Sequence, residues 1–139
     1  MSKEQLYHIG VKAIIRNPQN KILVIKRVDR DSWDLPGGRI QEDENVYDAL
    51  RREVKEETGL VQLENITARG LFLTKIKIPL KNHSAGLLFY YHTCLIIKEQ
   101  SVILSPEHND FLWVEIEKAK TLHSDDSIFF SEQNIALLG

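Results

Sequence analysis

The chain has 139 residues, 42% of them hydrophobic, which suffices for a buried core and sets an expectation of one domain over residues 1–139. A net charge of -2 and a pI near 6.2 exclude a general electrostatic pull toward nucleic acid polymers or anionic membranes. Cys94 is the only cysteine, no run approaches the roughly 18 apolar residues of a membrane span, and the opening MSKEQLYHIG lacks a signal-like apolar stretch, so a cytoplasmic protein is expected.

Residues 9–15 and 22–25 are β-branched runs separated by Asn17-Pro18-Gln19-Asn20, a turn signal that predicts a hairpin. The basic residues Lys26, Arg27 and Arg30 follow. They read either as solvated surface or as contacts for a polyphosphate, with Arg27 the candidate. Trp33 is either a core or rim anchor or a platform for stacking a base. Leu35-Pro36-Gly37-Gly38 predicts a tight loop, since proline restricts the chain and glycine lets the backbone approach a ligand.

Residues 38–60, GRIQEDENVYDALRREVKEETGL, carry the chemistry. On a helix at ~100° per residue, Val46, Ala49, Leu50 and Val54 form a core-facing stripe that also carries Glu53, Glu56 and Glu57. These acids neighbour one another at helical spacing, so they repel, and burial adds a desolvation cost. One resolution is a hard divalent cation among the carboxylates, Mg²⁺ first. The other is a helix with a solvated acidic end. Asp43, Glu44 and Asn45 suit the helix start, Arg52 stands four before Glu56, and Gly59 sits where a left-handed residue ends a helix. Glu44 is read as structural rather than as a ligand.

Downstream, residues 66–78 have strand composition, with a partial alternation at Leu71, Leu73, Ile76 and Ile78. Residues 79–85 read as a loop, and residues 86–97 as a central strand covered on both faces, with His92 and Cys94 packed inside it. Tyr90 and Tyr91 must point to opposite faces. The loop from Ser105 to Asp110 precedes a strand at residues 111–114, and residues 115–122 and 126–138 both allow helices. Strands with a central and a C-terminal helix give α+β.

Gly38, Glu44, Arg52, Glu53, Glu56, Glu57 and Gly59 fall on the pattern Gly-x5-Glu-x7-Arg-Glu-U-x-Glu-Glu-x-Gly-U, with Val54 and Leu60 as the aliphatic U positions. Accidental agreement at these positions is of order one in 10⁸ per start position. The chain thus resembles the Nudix hydrolases at every position of their box. The resemblance implies an α/β/α sandwich with a mixed β-sheet and helices on both faces. It implies metal-dependent cleavage of a nucleoside diphosphate linked to another moiety, with Mg²⁺ or Mn²⁺ held by Glu53, Glu56, Glu57 and the carbonyl of Gly37. Glu53 is then the first choice of base, Arg52 an orienting residue, and Arg52, Glu53 and Glu56 the catalytic set. Glu107 or Asp110 would add a carboxylate from outside the box. The pattern Glu107, His108, Phe111, Trp113 also resembles relatives that cleave diadenosine polyphosphates. The substrate stays open among dinucleoside polyphosphates, ADP-ribose-like compounds and oxidised or ordinary nucleoside triphosphates, and a homodimer is allowed. Two other readings are a catalytically silent nucleotide-binding regulator and a prenyl diphosphate isomerase. The complete acidic set argues against the first, and the short chain and packed Cys94 against the second.

Overall fold

The computed structural model describes residues 3–119 and 121–122. The expected helix at residues 126–138 lies outside them. The described elements are β1 (Tyr7–Arg16), β2 (Ile22–Arg27), β3 (Trp33–Asp34), β4 (Gly37–Arg39), α1 (Val46–Thr58), β5 (Glu64–Pro79), β6 (Ser84–Leu95), β7 (His108–Val114) and α2 (Ile116–Ala119).

The turn between β1 and β2 forms because Asn17 replaces backbone partners with its own side chain. Its Oδ1 accepts from the Gln19 amide at 3.1 Å and the Lys21 amide at 2.9 Å. The two strands then pair antiparallel only at Arg16 and Ile22. Beyond that point they diverge, and the next two strands use the exposed edges: β3 runs on β2, and β4 pairs with β1 from Gly10 to Lys12. The predicted hairpin is therefore real at its turn and open along its length.

All seven strands join one mixed sheet. The parallel pair is β1 with β6, in register from Tyr7 opposite Gly86 to Arg16 opposite Leu95. β6 has β1 on one edge and β5 on the other, which makes it the central strand its composition predicts. One face buries Val11, Ala13, Ile15 and Cys94 against Ala49, Leu50 and Val54 of α1. The other buries Ile14, Val24, Phe89 and Tyr91, with Ala119 of α2 and its neighbour Ile116 packed on them. Helices thus cover both faces of the sheet, as expected of an α/β/α sandwich. Burying side chains of this size gives roughly 1.5–3 kcal/mol each relative to exposure. Tyr90 and Tyr91 diverge as predicted, and His92 and Cys94 are packed; burial pushes the Cys94 thiol up to about 12.

Three local expectations change. The glycine pair belongs to β4 rather than to a loop, because the loop is confined to Leu35 and Pro36. The helix expected at residues 115–122 contracts to Ile116–Ala119. Of the alternation at Leu71, Leu73, Ile76 and Ile78, the first three face outward, at 58%, 57% and 43% exposure, while Ile78 and Phe72 pack inward on the edge strand β5. Among the described residues, no helix is long and apolar enough to cross a membrane.

Candidate functional site

The site is built from the inward end of α1. Asn45 caps the helix by accepting from the Asp48 amide at 2.9 Å, and Gly59 closes it at φ 74°, in the left-handed region. Ala49, Leu50 and Val54, all fully buried, fix the rotation of the helix against the sheet. That rotation settles where the acids go. The side chains of Glu53 and Glu57 are 15% and 13% exposed, whereas Glu56 is 57% exposed. The expected inward trio is therefore an inward pair with Glu56 at the rim. Glu56 lies about 60° round the helix from Glu53, on the side away from Leu50 and Val54, at the margin of the apolar stripe. Gly38 makes room for this packing: a Cβ there would stand 2.6 Å from the Glu53 carboxylate.

Arg52 ties the carboxylates together. Its Nε and Nη2 donate to Glu44 at 2.6 and 2.9 Å, in the two-pronged geometry that suits guanidinium and carboxylate. Its Nη1 donates to Glu53 at 2.7 Å and, more weakly, to Glu56 at 3.2 Å, and Nη2 also reaches the Arg39 carbonyl. The anticipated bridge to Glu56 exists, but Glu44 is the closer partner, which gives Glu44 the structural role expected of it. Hydrogen bonds from Arg52 and from the Gln41 amide hold the Glu44 carboxyl at about 2, and Glu44 in turn raises the Arg52 pKa.

Glu57 lacks such a cation in hydrogen-bonding range among the described residues. Its Oε1 accepts from the Gly37 amide at 2.7 Å. Burial pushes its carboxyl up to about 7; Lys12 and the Gly37 amide work against the rise, while Glu53 and Asp34 add to it. Gly37 reaches this carboxylate because it runs close to β1, where a Cβ would collide with the Val11 carbonyl. The buried imidazole of His108 places Nε2 3.8 Å from Glu57 Oε2, and Ser105 Oγ lies 3.3 Å from its Nδ1. Burial, then the nearby Arg27, lowers the His108 pKa, which disfavours the charged ring.

Gly37, Arg52, Glu53, Glu56, Glu57 and Ser105 line a cavity of about 860 Å³, a volume in the range of sites for nucleotide-sized molecules. Arg27 and Trp33 line it too. Arg27 is paired with Asp29 at 2.9 and 3.1 Å, and Trp33 packs on the second core cluster, as an anchor would, while one side of it lines the cavity. Glu107 lines the cavity, and one of its oxygens falls within 4.8 Å of donor atoms of Glu57 and His108. Asp110 does not join them: it stands on β7 opposite Lys26, exposed, with its carboxylate accepting from the Phe111 amide.

Two residues escaped the sequence reading as site members. Lys12, only 6% exposed, donates to Asp34 at 3.0 Å and to the Leu35 carbonyl at 3.3 Å, and lies 4.8 Å from the Phe89 ring centroid. Its signal was available, since a single lysine interrupts the apolar run of residues 9–15. The other is His108, which appeared only as part of a pattern.

The chain matches the family model described as NUDIX domain over residues 6–133. It is 29% identical over 140 residues to an RNA pyrophosphohydrolase of Legionella pneumophila (strain Corby), covering 91% of this chain and 78% of that protein. A putative 8-oxo-dGTP diphosphatase of Bacillus subtilis (strain 168) is 44% identical over 54 residues, 39% of this chain and 36% of that one. For several such relatives the chain spans only about a third of their length. Among solved structures, a MutT protein from Methanosarcina mazei Go1 superposes with a TM-score of 0.73 at 27% identity, covering 99% of this chain and 96% of that one. The NUDIX domain of Shewanella oneidensis NrtR, complexed with ADP ribose, gives a TM-score of 0.71 at 20% identity, covering 98% and 87%, and so shares the fold.

Proposed function

Because the chain belongs to the NUDIX domain family, we propose that it is a metal-dependent pyrophosphohydrolase that cleaves a phosphoanhydride bond in a nucleoside diphosphate linked to another moiety. The observation that carries this reading is the Glu57 carboxylate, 13% exposed and raised to about 7 by burial, beside a second inward acid on the same helix. A buried acid set of this kind is costly for the fold alone and favourable once a cation enters.

The donor chemistry fits Mg²⁺ or Mn²⁺. Glu53, Glu56 and Glu57, with the Gly37 carbonyl, offer hard oxygen donors. Glu44, Glu53, Glu56 and Glu57 against Arg52 leave a net charge of -3 when all are ionised. Bound among them, the ion supplies positive charge and Lewis acidity for the phosphate oxygens. The remaining roles belong to the chain. Arg52 holds Glu53 in position. Glu53 takes the proton of the attacking water, with Glu107 the second choice. Arg27 and Lys12 offset phosphate charge, and Trp33 presents its ring to the base. Asp110 has no part in this reading, since it stands apart from the cavity.

The relatives' names direct the substrate search toward RNA and 8-oxo-dGTP. The test is a turnover panel of these compounds with nucleotide sugars, dinucleoside polyphosphates and ADP-ribose, with and without Mg²⁺, read by product mass. Mg²⁺-dependent release of a nucleotide and a phosphorylated second product is expected. Tight binding without turnover on every compound would instead mark a nucleotide-binding regulator.

A further inference from the structure

Next to Glu57 stands a donor of a different kind from the box acids. The side chain of His108 is 3% exposed, and its Nε2 faces Glu57 Oε2 across 3.8 Å, beyond hydrogen-bond length. Nε2 makes no hydrogen bond among the described residues, while Nδ1 has Ser105 Oγ at 3.3 Å. Ligating histidines in proteins commonly donate their second ring N–H to a polar partner, which fixes the tautomer and leaves the other nitrogen's lone pair toward the ion. Ser105 occupies that partner's place. Two ligands of one ion, each ~2.0–2.2 Å from it, stand roughly 3–4 Å apart, and the gap from His108 to Glu57 falls in that span. Glu107 brings a third donor, all three lying within 4.8 Å of one another.

The imidazole is also fixed relative to the helix. The Ser105 amide donates to the Glu57 carbonyl at 3.3 Å, the Ile103 amide to the Thr58 carbonyl at 2.8 Å, and the His108 amide to the Ser105 carbonyl at 3.1 Å. The loop that leads into β7 and its first residue, His108, is therefore docked on the last turn of α1 that carries Glu57.

We propose that His108 Nε2 is a nitrogen ligand to the site's cation, which it shares with Glu57 and Glu107, and that the site therefore favours Mn²⁺ over Mg²⁺. The inference rests on the metal-dependent reading above and adds a ligand from outside the box. Mg²⁺ takes oxygen donors almost exclusively, whereas an imidazole ligand favours first-row transition ions.

Pulsed electron paramagnetic resonance of the full chain loaded with Mn²⁺ tests it. Nitrogen-14 modulation from a directly bound imidazole is expected, converting to the nitrogen-15 pattern when the protein is made with ¹⁵N-histidine. The modulation should vanish in His108→Gln, and the preference for Mn²⁺ over Mg²⁺ in competition should fall at least tenfold. The isotope exchange needs no substitution, so it decides the matter even if His108→Gln does not fold. Mn²⁺ bound without nitrogen modulation would overturn the role of His108 while leaving the carboxylate site intact. Failure of Mn²⁺ to bind at all would overturn both.

Discussion

Replacing Glu57 by Gln in the metal-free protein should stabilise it, and only at high pH. Gln keeps an oxygen for the Gly37 amide, now accepted at 2.7 Å, but has no charge to desolvate. In the wild type, burial raises the Glu57 carboxyl from its ordinary value near 4.5 to about 7. A native state that holds the proton more tightly than the unfolded chain loses stability as pH rises. The loss begins above the unfolded value and is complete once the pH passes the folded value. The difference corresponds to about 3 kcal/mol. With EDTA present, Glu57→Gln should match the wild type near pH 4.5 and exceed it by up to about 3 kcal/mol at pH 8, a rise in Tm of roughly 10 °C. Urea or thermal denaturation at both pH values reads this directly. A variant less stable than the wild type at pH 8, or a difference that does not change with pH, would refute the assignment of a buried carboxylate whose desolvation outweighs its partners.

Other perturbations follow from the same geometry. Gly38→Ala would place a Cβ 2.6 Å from the Glu53 carboxylate, so turnover on the cleaved substrate should fall at least tenfold while the melting temperature changes little. Arg52→Lys keeps the charge but cannot make the paired contacts to Glu44 at 2.6 and 2.9 Å together with the bond to Glu53; kcat should drop by one to two powers of ten with KM less affected. Glu53→Gln should lower kcat by several powers of ten without loss of fold, read by circular dichroism beside the activity assay. Cys94, buried and raised to about 12, should resist a thiol reagent in the native protein and react at once in denaturant.

The legible part of this protein was its local periodicity. The caps at Asn45 and Gly59, the apolar stripe of α1 and the density of β6 are properties of short windows, and each reads directly from sequence. The box acids were legible because their charges conflict with that stripe. What escaped depends on pairing between distant segments. Where β1 opens from β2, its edge is taken by β4, which no property of the turn at Asn17 reports. The outward alternation of β5 follows from its edge position beside β6. Lys12 and His108 become site residues only when β1, the loop at Ser105 and the end of α1 meet. For Asp110, β-register opposite Lys26 turned a candidate away from the cavity.

The most direct test of the central claim, that Glu53 and Glu57 form a cation site, is isothermal titration of Mg²⁺ into the metal-free protein with a non-hydrolysable nucleotide present. The account predicts saturable uptake at pH 8 that weakens at least tenfold in Glu57→Gln. Absence of uptake by the wild type, or equal uptake by the variant, would contradict it.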